Sequence, residues 1–230
     1  MINHQQYLSL AEVAETQWGL ITTGQAHAVD IDADLLEQAS GVGLLTLIDD
    51  GVYRLAGVPD SPHHLLQAAW LRLDPTRSAT ARLTAAEVPD AVISHRSAAA
   101  IHGLGDLDLT PVEVTANQPI ATTGVLLHSG EISRREWQPV AGLPVTTPAR
   151  TVADLAATRI DGGHLATIVR DALFGSSATT TAAMARALDP AARFYSCPSG
   201  EQLLQVCLEQ AGIPEACAVL TADIPTPSAN

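Results

Sequence analysis

The most telling absence in this 230-residue chain is lysine: all 12 basic side chains are arginine, set against 25 carboxylates, for a net charge of −13. A field of that sign repels nucleic acid on average. Cysteine is also scarce. The three present, Cys197, Cys207 and Cys217, stand ten residues apart with no C-x-x-C pair and an odd count, which excludes a disulfide-stapled scaffold and suits thiols buried as small core residues in a reducing compartment. No apolar run approaches the roughly 18 to 20 residues that a membrane span needs, and the opening MINHQQY has neither a basic n-region nor an apolar h-region. The expectation is a cytoplasmic protein with no membrane partner. Glycine-rich phosphate loops, G-x-S-x-G elbows and H-E-x-x-H helices are all missing, and no serine or cysteine has a positioned base beside it. What is present is an apolar fraction of 47%, enough to fill the core of one large or two small domains.

Charge is unevenly distributed. Residues 1–58 hold eight acids against Arg54 alone, a net of −7, whereas residues 61–160 hold nine acids against eight arginines, a net of −1. Apolar spacing at Leu8, Leu10, Val13 and Ala14 predicts a first helix over 8–17 that stops at Gly19. Thr22 or Thr23 can cap a short second helix through Ala28, and Ala33 opens a third to about Ala39. The apolar runs Leu44–Ile48 and Val52–Ala56 are joined through Asp49-Asp50-Gly51, where Asp-Gly suits a tight hairpin. This order predicts a winged helix-turn-helix over 1–58. Pro59 and Asp60 close it, and Ser61-Pro62 reads as an N-cap and first helical position for a helix over 62–73.

Beyond that boundary the pattern predicts a helical stretch at 76–86, a short strand at Ala91–Ser94, a small helix capped by Ser97 and stopped by Gly103, and strands at Val112–Thr115 and Val125–His128. Val145 begins a crossover into a helix at Thr147-Pro148 that ends near Ala157. Three further helices are expected at 161–174, 179–188 and 199–211, with Gly175 and Gly212 as stops for the first and last. The closing TADIPTPSAN lacks apolar pattern and is expected to be mobile. The fold class is therefore α+β, a mixed α/β arrangement in three parts: a winged helix at 1–58, a mixed domain at 61–196 and a helical appendix with its tail at 197–230.

Four strings carry a resemblance: DDGVYRLAG at Asp49–Gly57, SHRSAAAIHGL at Ser94–Leu104, PVEVTAN at Pro111–Asn117 and LPVTTPARTVADLA at Leu143–Ala156. In this order they resemble the AbiEi family of antitoxins, the partners of nucleotidyltransferase toxins in type IV toxin-antitoxin and abortive-infection (phage defence) systems. The resemblance implies a DNA-binding N-terminal domain that represses its own operon, a C-terminal domain that neutralises the toxin, no enzymatic activity and no cofactor or metal. SGEQLLQVCLEQAGIPEA from Ser199 is similar to the opening of a Vsr-like endonuclease domain, with Glu201 at its first-helix glutamate. The D/E-x-K signature of that fold cannot be met in a chain without lysine.

Candidate DNA contacts are Thr22, Thr23 and Gln25 in the helix-turn-helix, Asp34 and Gln38 on the third helix, and Arg54 in the wing. That third helix offers Asp34, Glu37 and Gln38 and no arginine, a poor inventory for phosphate contacts. A wing kept for packing or for protein contacts is an equal alternative, and the regulatory half of a DNA-processing endonuclease is a third. Candidate partner or nucleic-acid contacts are His95, Arg96 and His102 around the SHRSAAAIHGL helix, Arg134 and Arg135 beside Trp137, and Arg150. His95 and His102, seven apart, tempt a metal reading, but no carboxylate or cysteine lies at ligand spacing in sequence, so backbone satisfaction is the expected role. Arg150 has Asp154 four residues on, the spacing of an intrahelical ion pair. The His63-His64 pair is read as surface or capping. The expected partners are a nucleotidyltransferase toxin and operator DNA, with a homodimer left open.

Overall fold

A computed structural model describes residues 2–175 and 179–213, which form a mixed α/β fold. The chain divides into two compact units. The first comprises Met1–Ile93, Val114–Arg134 and Pro139–Pro144; the second comprises Ser94–Glu113, Arg135–Gln138 and Val145–Asn230.

In the first unit, helix α1 spans His4–Glu15, four residues ahead of the expected start. The reason is polar: Asn3 and Gln6 form a reciprocal capping box that the apolar periodicity does not register. The chain then turns through Trp18 and Gly19, both at positive φ, and a Cβ on Gly19 would lie 2.5 Å from the Val58 methyls. A strand that the sequence pattern did not signal, β1 (Leu20–Thr22), comes next, followed by α2 (Thr23–His27) and α3 (Ala33–Gly41, N-cap Asp32). The hairpin is β2 (Leu45–Asp49) and β3 (Val52–Leu55). All pairings are antiparallel in the order β1-β3-β2, with Leu47 opposite Tyr53. Leu10, Ile21, Ala26, Ile31, Leu36, Leu45 and Leu55 fill the core between helices and sheet.

The expected boundary at 58–60 falls inside this unit. Helix α4 spans His64–Arg72 and starts two residues later than the Ser61-Pro62 signal suggested. Ser61 caps nothing helical; its hydroxyl accepts the His63 amide in the turn before the helix. Helix α5 spans Ala79–Thr84, capped by Ser78. The unit also holds strands β4 (Ala91–Ile93) and β6 (Val125–Ser129). Strand β5 (Val112–Ala116) pairs antiparallel with β4 through Ala91–Ala116, Val92–Thr115 and Ile93–Val114. With β7 (Trp137–Val140) and β8 (Leu143–Thr146), these strands form a five-stranded sheet ordered β6-β5-β4-β8-β7. The strand β7 and the 3-10 segment Asp189–Tyr195 carried no sequence signal that set them apart from loop.

The second unit is mainly helical. Helix α6 spans His95–His102 and ends at Gly103, whose φ of 68° supplies the left-handed stop. Its cap position is Ser94, not Ser97; Ser97 sits inside the helix, buried, where its hydroxyl accepts the Glu113 amide at 2.8 Å. Helix α7 (Pro148–Ala157) begins as expected, with Thr147 as N-cap and proline in the first turn. Helices α8 (Gly162–Phe174, capped by Asp161), α9 (Thr181–Leu188, capped by Thr180) and α10 (Gly200–Gln210, capped by Ser199) complete the set. Val152, Leu155, Leu165, Val169, Met184, Leu188, Leu203, Leu204 and Leu208 belong to one apolar cluster. Helix α10 is thus part of this unit's core, not the appendix that its position near the C-terminus suggested. Gly200 makes that docking feasible: a Cβ there would lie 2.0 Å from the Ala185 carbonyl oxygen. Cys197 and Cys207 are buried, unbridged thiols, as expected. Cys217 and the TADIPTPSAN tail lie outside the described residues.

Candidate functional site

Helix α3 turns Leu36 and Ala39 inward and leaves Asp34, Glu37 and Gln38 exposed. The adjoining hairpin adds to the same character. Tyr53, only 8% exposed, has its hydroxyl pKa raised, first by burial and then by the negative charges of Glu37 and Asp50. Carboxylates from the helix and from the hairpin tip therefore act on one side chain between them.

The basic residues that could offset this charge are already engaged. Arg54 donates to the Asp60 carboxylate at 2.6 Å. That carboxylate is held below its ordinary pKa, first by His64 and the Ser61 amide and then by Arg54. Arg72, on α4, donates to Asp49 at 2.8 Å, stands 3.8 Å from Asp50, and also donates to the Thr123 carbonyl and hydroxyl. The tip of the hairpin is therefore latched by a guanidinium whose charge is neutralised there. His64, 5% exposed, places Nδ1 3.3 Å from Asp60 and 3.2 Å from the Ser61 amide; it is neither a surface side chain nor a cap of α4, whose N-cap His63 makes no side-chain cap hydrogen bond, because its ring is taken up by the turn ahead of the helix.

Thr22 and Gln25 do not face solvent. Both are buried, at 0% and 4% exposure. Thr22 accepts the Gln25 amide as N-cap of α2, and its hydroxyl donates to the Pro75 carbonyl. The Gln25 side chain exchanges hydrogen bonds with Gln17 at 2.6 and 3.1 Å and donates to the Arg77 carbonyl at 3.0 Å. Thr23, half-buried, donates to the Gly51 carbonyl at the hairpin. These three candidate DNA contacts instead tie α2 to the segment after α4 and to the hairpin. Sequence reasoning missed this because a polar residue next to a helix start looks the same whether its partner is solvent, nucleic acid or a backbone carbonyl fifty residues away.

In the second unit, the SHRSAAAIHGL residues form a buried polar knot. Ser94, His95, Ser97 and Glu113 are all buried. His95 Nδ1 lies 2.9 Å from the Ser94 hydroxyl, the Ser94 amide donates to the Glu113 carbonyl, and Arg96 pairs with the Glu113 carboxylate. His95 has φ of 49°, a conformation that a non-glycine residue adopts only when its surroundings hold it there. His102 sits at the other end of α6, its Nε2 2.7 Å from the Thr146 carbonyl. Burial lowers its pKa more than that carbonyl raises it. The two histidines make separate local contacts. The helix α7 string behaves likewise: Arg150 bonds to Asp154 at 2.7 Å and to Glu136 at 2.8 Å, and Thr146 and Thr151 share a 2.8 Å hydroxyl contact. Arg134 and Arg135 are exposed, while Trp137 is 9% exposed. No sequence signal marked Asp60 or Arg72, whose partners lie 6 and 23 residues away.

Taken together these features define a mixed α/β protein whose polar motif residues are engaged in structure. Comparison with known proteins adds the fold but not an activity: no family model and no curated protein matches the chain. The crystal structure of the RV2827C protein from Mycobacterium tuberculosis is similar over 97% of this chain and 83% of that chain, at 14% identity and a TM-score of 0.52. At that identity the likeness concerns the fold alone. No helix among the described residues is long and apolar enough to cross a membrane.

Proposed function

We propose that this chain is a non-enzymatic, antitoxin-type regulator that acts in the cytoplasm by binding, and that its main partner is a nucleotidyltransferase toxin. In this reading residues 1–58 are a winged helix whose third helix, α3, meets protein and not DNA. One observation carries it: α3 exposes Asp34, Glu37 and Gln38, while the nearby Arg54 and Arg72 are bound to Asp60 and Asp49. A surface of that sign complements the basic cleft of an enzyme that handles nucleotides, and complementary charge speeds encounter and sets specificity. The four strings that resemble AbiEi antitoxins support the same assignment.

The test is a search of the genomic neighbourhood for a nucleotidyltransferase gene and co-expression of this chain with its product. Rescue of growth and co-purification are expected, with Asp34→Lys/Glu37→Lys weakening both. Failure of the wild-type chain to rescue or co-purify overturns the proposal. A second reading, occupancy of its own promoter, draws on the helix-strand-helix-helix-hairpin order of the first unit. Fluorescence anisotropy against upstream and scrambled duplexes across a salt series separates the two: sequence-selective binding with a steep salt slope favours the promoter, and none at low salt leaves protein contact alone.

A further inference from the structure

Val42 and Leu47 are the two large apolar side chains most exposed around the α3 surface, at 57% and 56%. Scattered exposed leucines need no explanation, but these two lie on elements that pack against each other. Val42 is the C-cap residue of α3, and α3 packs against β2, which carries Leu47. Leu47 stands directly opposite Tyr53 in the hairpin, and directly opposed residues point to the same sheet face. Glu37, on α3, and Asp50, at the tip of the hairpin, are both exposed on the elements that carry Val42 and Leu47. Two exposed apolar side chains therefore flank a helix that exposes Asp34, Glu37 and Gln38 and carries no cation.

We propose that Val42 and Leu47 are the apolar anchors of a docking surface for a basic amphipathic helix of a partner protein, whose arginines and lysines meet Asp34, Glu37 and Asp50. This deepens the protein-contact reading above and rests on it. Charge selects the occupant. Residues 1–58 carry a net of −7, so nucleic acid and an anionic lipid surface are repelled, and a second copy of this face would place like charges opposite each other. An amphipathic helix lays its apolar stripe into such a surface through residues at i, i+3 and i+4, with cations along its flanks.

The probe is a labelled peptide of about 18 residues, roughly five helical turns, with leucines on one face and lysines on the other. It is titrated into the full chain by fluorescence anisotropy beside a peptide in which serine replaces leucine. Saturable binding is expected for the leucine peptide, weakened roughly tenfold or more by Val42→Ser/Leu47→Ser, with the thermal midpoint unchanged because both side chains are mostly exposed. Glu37→Gln should reduce the salt dependence. Equal binding by the double variant, equal binding of the serine peptide, or no binding to the wild type would each overturn the assignment. The co-expression test fails or succeeds independently: a double variant that neutralises the toxin as well as the wild type sinks the anchors and leaves the function standing. Peptide binding through Val42 and Leu47 without toxin capture keeps the surface and changes the partner.

Discussion

Each of the two units has an interior built on its own chemistry. In the second, α7, α8, α9 and α10 bury a continuous set of aliphatic side chains, with Leu165, Ile168, Val169, Met184 and Leu188 all at 0% exposure. In the first, much of the joinery is polar. Gln17 and Gln25 exchange amide hydrogen bonds, and Gln17 Oε1 also accepts the Ala79 amide. The Arg82 side chain, 0% exposed, lies 3.6 Å over the Trp70 ring, donates to the Trp70 carbonyl at 2.7 Å and reaches Asp90 at 3.0 Å. Arg82 is also desolvated enough to lower its own pKa despite Asp90. Aliphatic packing tolerates exchange of one shape for a similar one, whereas a buried hydrogen-bonded group tolerates little, because its partner is then left unsatisfied.

The largest expected effect tests that contrast directly. Arg82→Ala removes a stacked guanidinium, leaves the Trp70 carbonyl with the Leu73 amide alone and strips Asp90 of its buried partner, and should cost about 4 kcal/mol. Leu165→Ala in the helical core should cost about 3 kcal/mol. Urea unfolding of both variants checks the order; a loss under about 1 kcal/mol for Arg82→Ala would mean that the first unit does not depend on its polar contacts. Next comes Gln25→Ala, at about 1–3 kcal/mol. Because Gln17 and Gln25 act as a pair, the double alanine variant should cost clearly less than the sum of the two single ones.

The sequence displayed these two regions unequally. The helices of the second unit were legible because Thr147 with Pro148 marks the start of α7 and because Gly175 and Gly212 stand just past the ends of α8 and α10. In the first unit α2, α3 and the hairpin were legible for reasons of the same kind. Gln25, Thr22 and Arg54 were not, because each finds its partner through the fold: Arg77, Pro75 and Asp60 are fixed by tertiary placement and by no periodicity. Ser97 illustrates the same limit, a plausible cap in sequence that proves to be a buried acceptor. The acidity of α3 needed no structure to see; that Arg54 and Arg72 are occupied did.

A smaller effect is the pH dependence of the second unit. Burial, with Cys197 second, pushes the Cys207 thiol from its ordinary 9.0 up to about 12, and burial, then Cys207 and Asp161, pushes the Tyr195 hydroxyl from 10.0 to about 12. Between those limits the unfolded chain has released protons that the folded chain keeps, so stability is full below about pH 9 and falls as pH rises toward 12. Cys207→Ala should flatten part of that fall in urea midpoints measured from pH 8 to 11, and native Cys207 should resist iodoacetamide at pH 8. The smallest expected change is Asp60→Asn. The Arg54–Asp60 pair is solvent-exposed on its carboxylate side, so stability should hardly change. The freed guanidinium should raise affinity for nonspecific duplex DNA at low salt, and an unchanged anisotropy titration would show that Arg54 does not face the duplex.

The packing of Trp18 against Trp70 has an optical consequence. The rings stand 6.3 Å apart at 79°, close enough for their transition dipoles to interact, and both belong to the first unit, whereas Trp137, the third tryptophan of the chain, belongs to the second. Each unit thus carries its own chromophore. The near-ultraviolet circular dichroism of the indole pair should disappear when the first unit melts. Emission from Trp137, isolated by replacing the other two with phenylalanine, should follow the second, so that each unit can be read by its own signal without any added label.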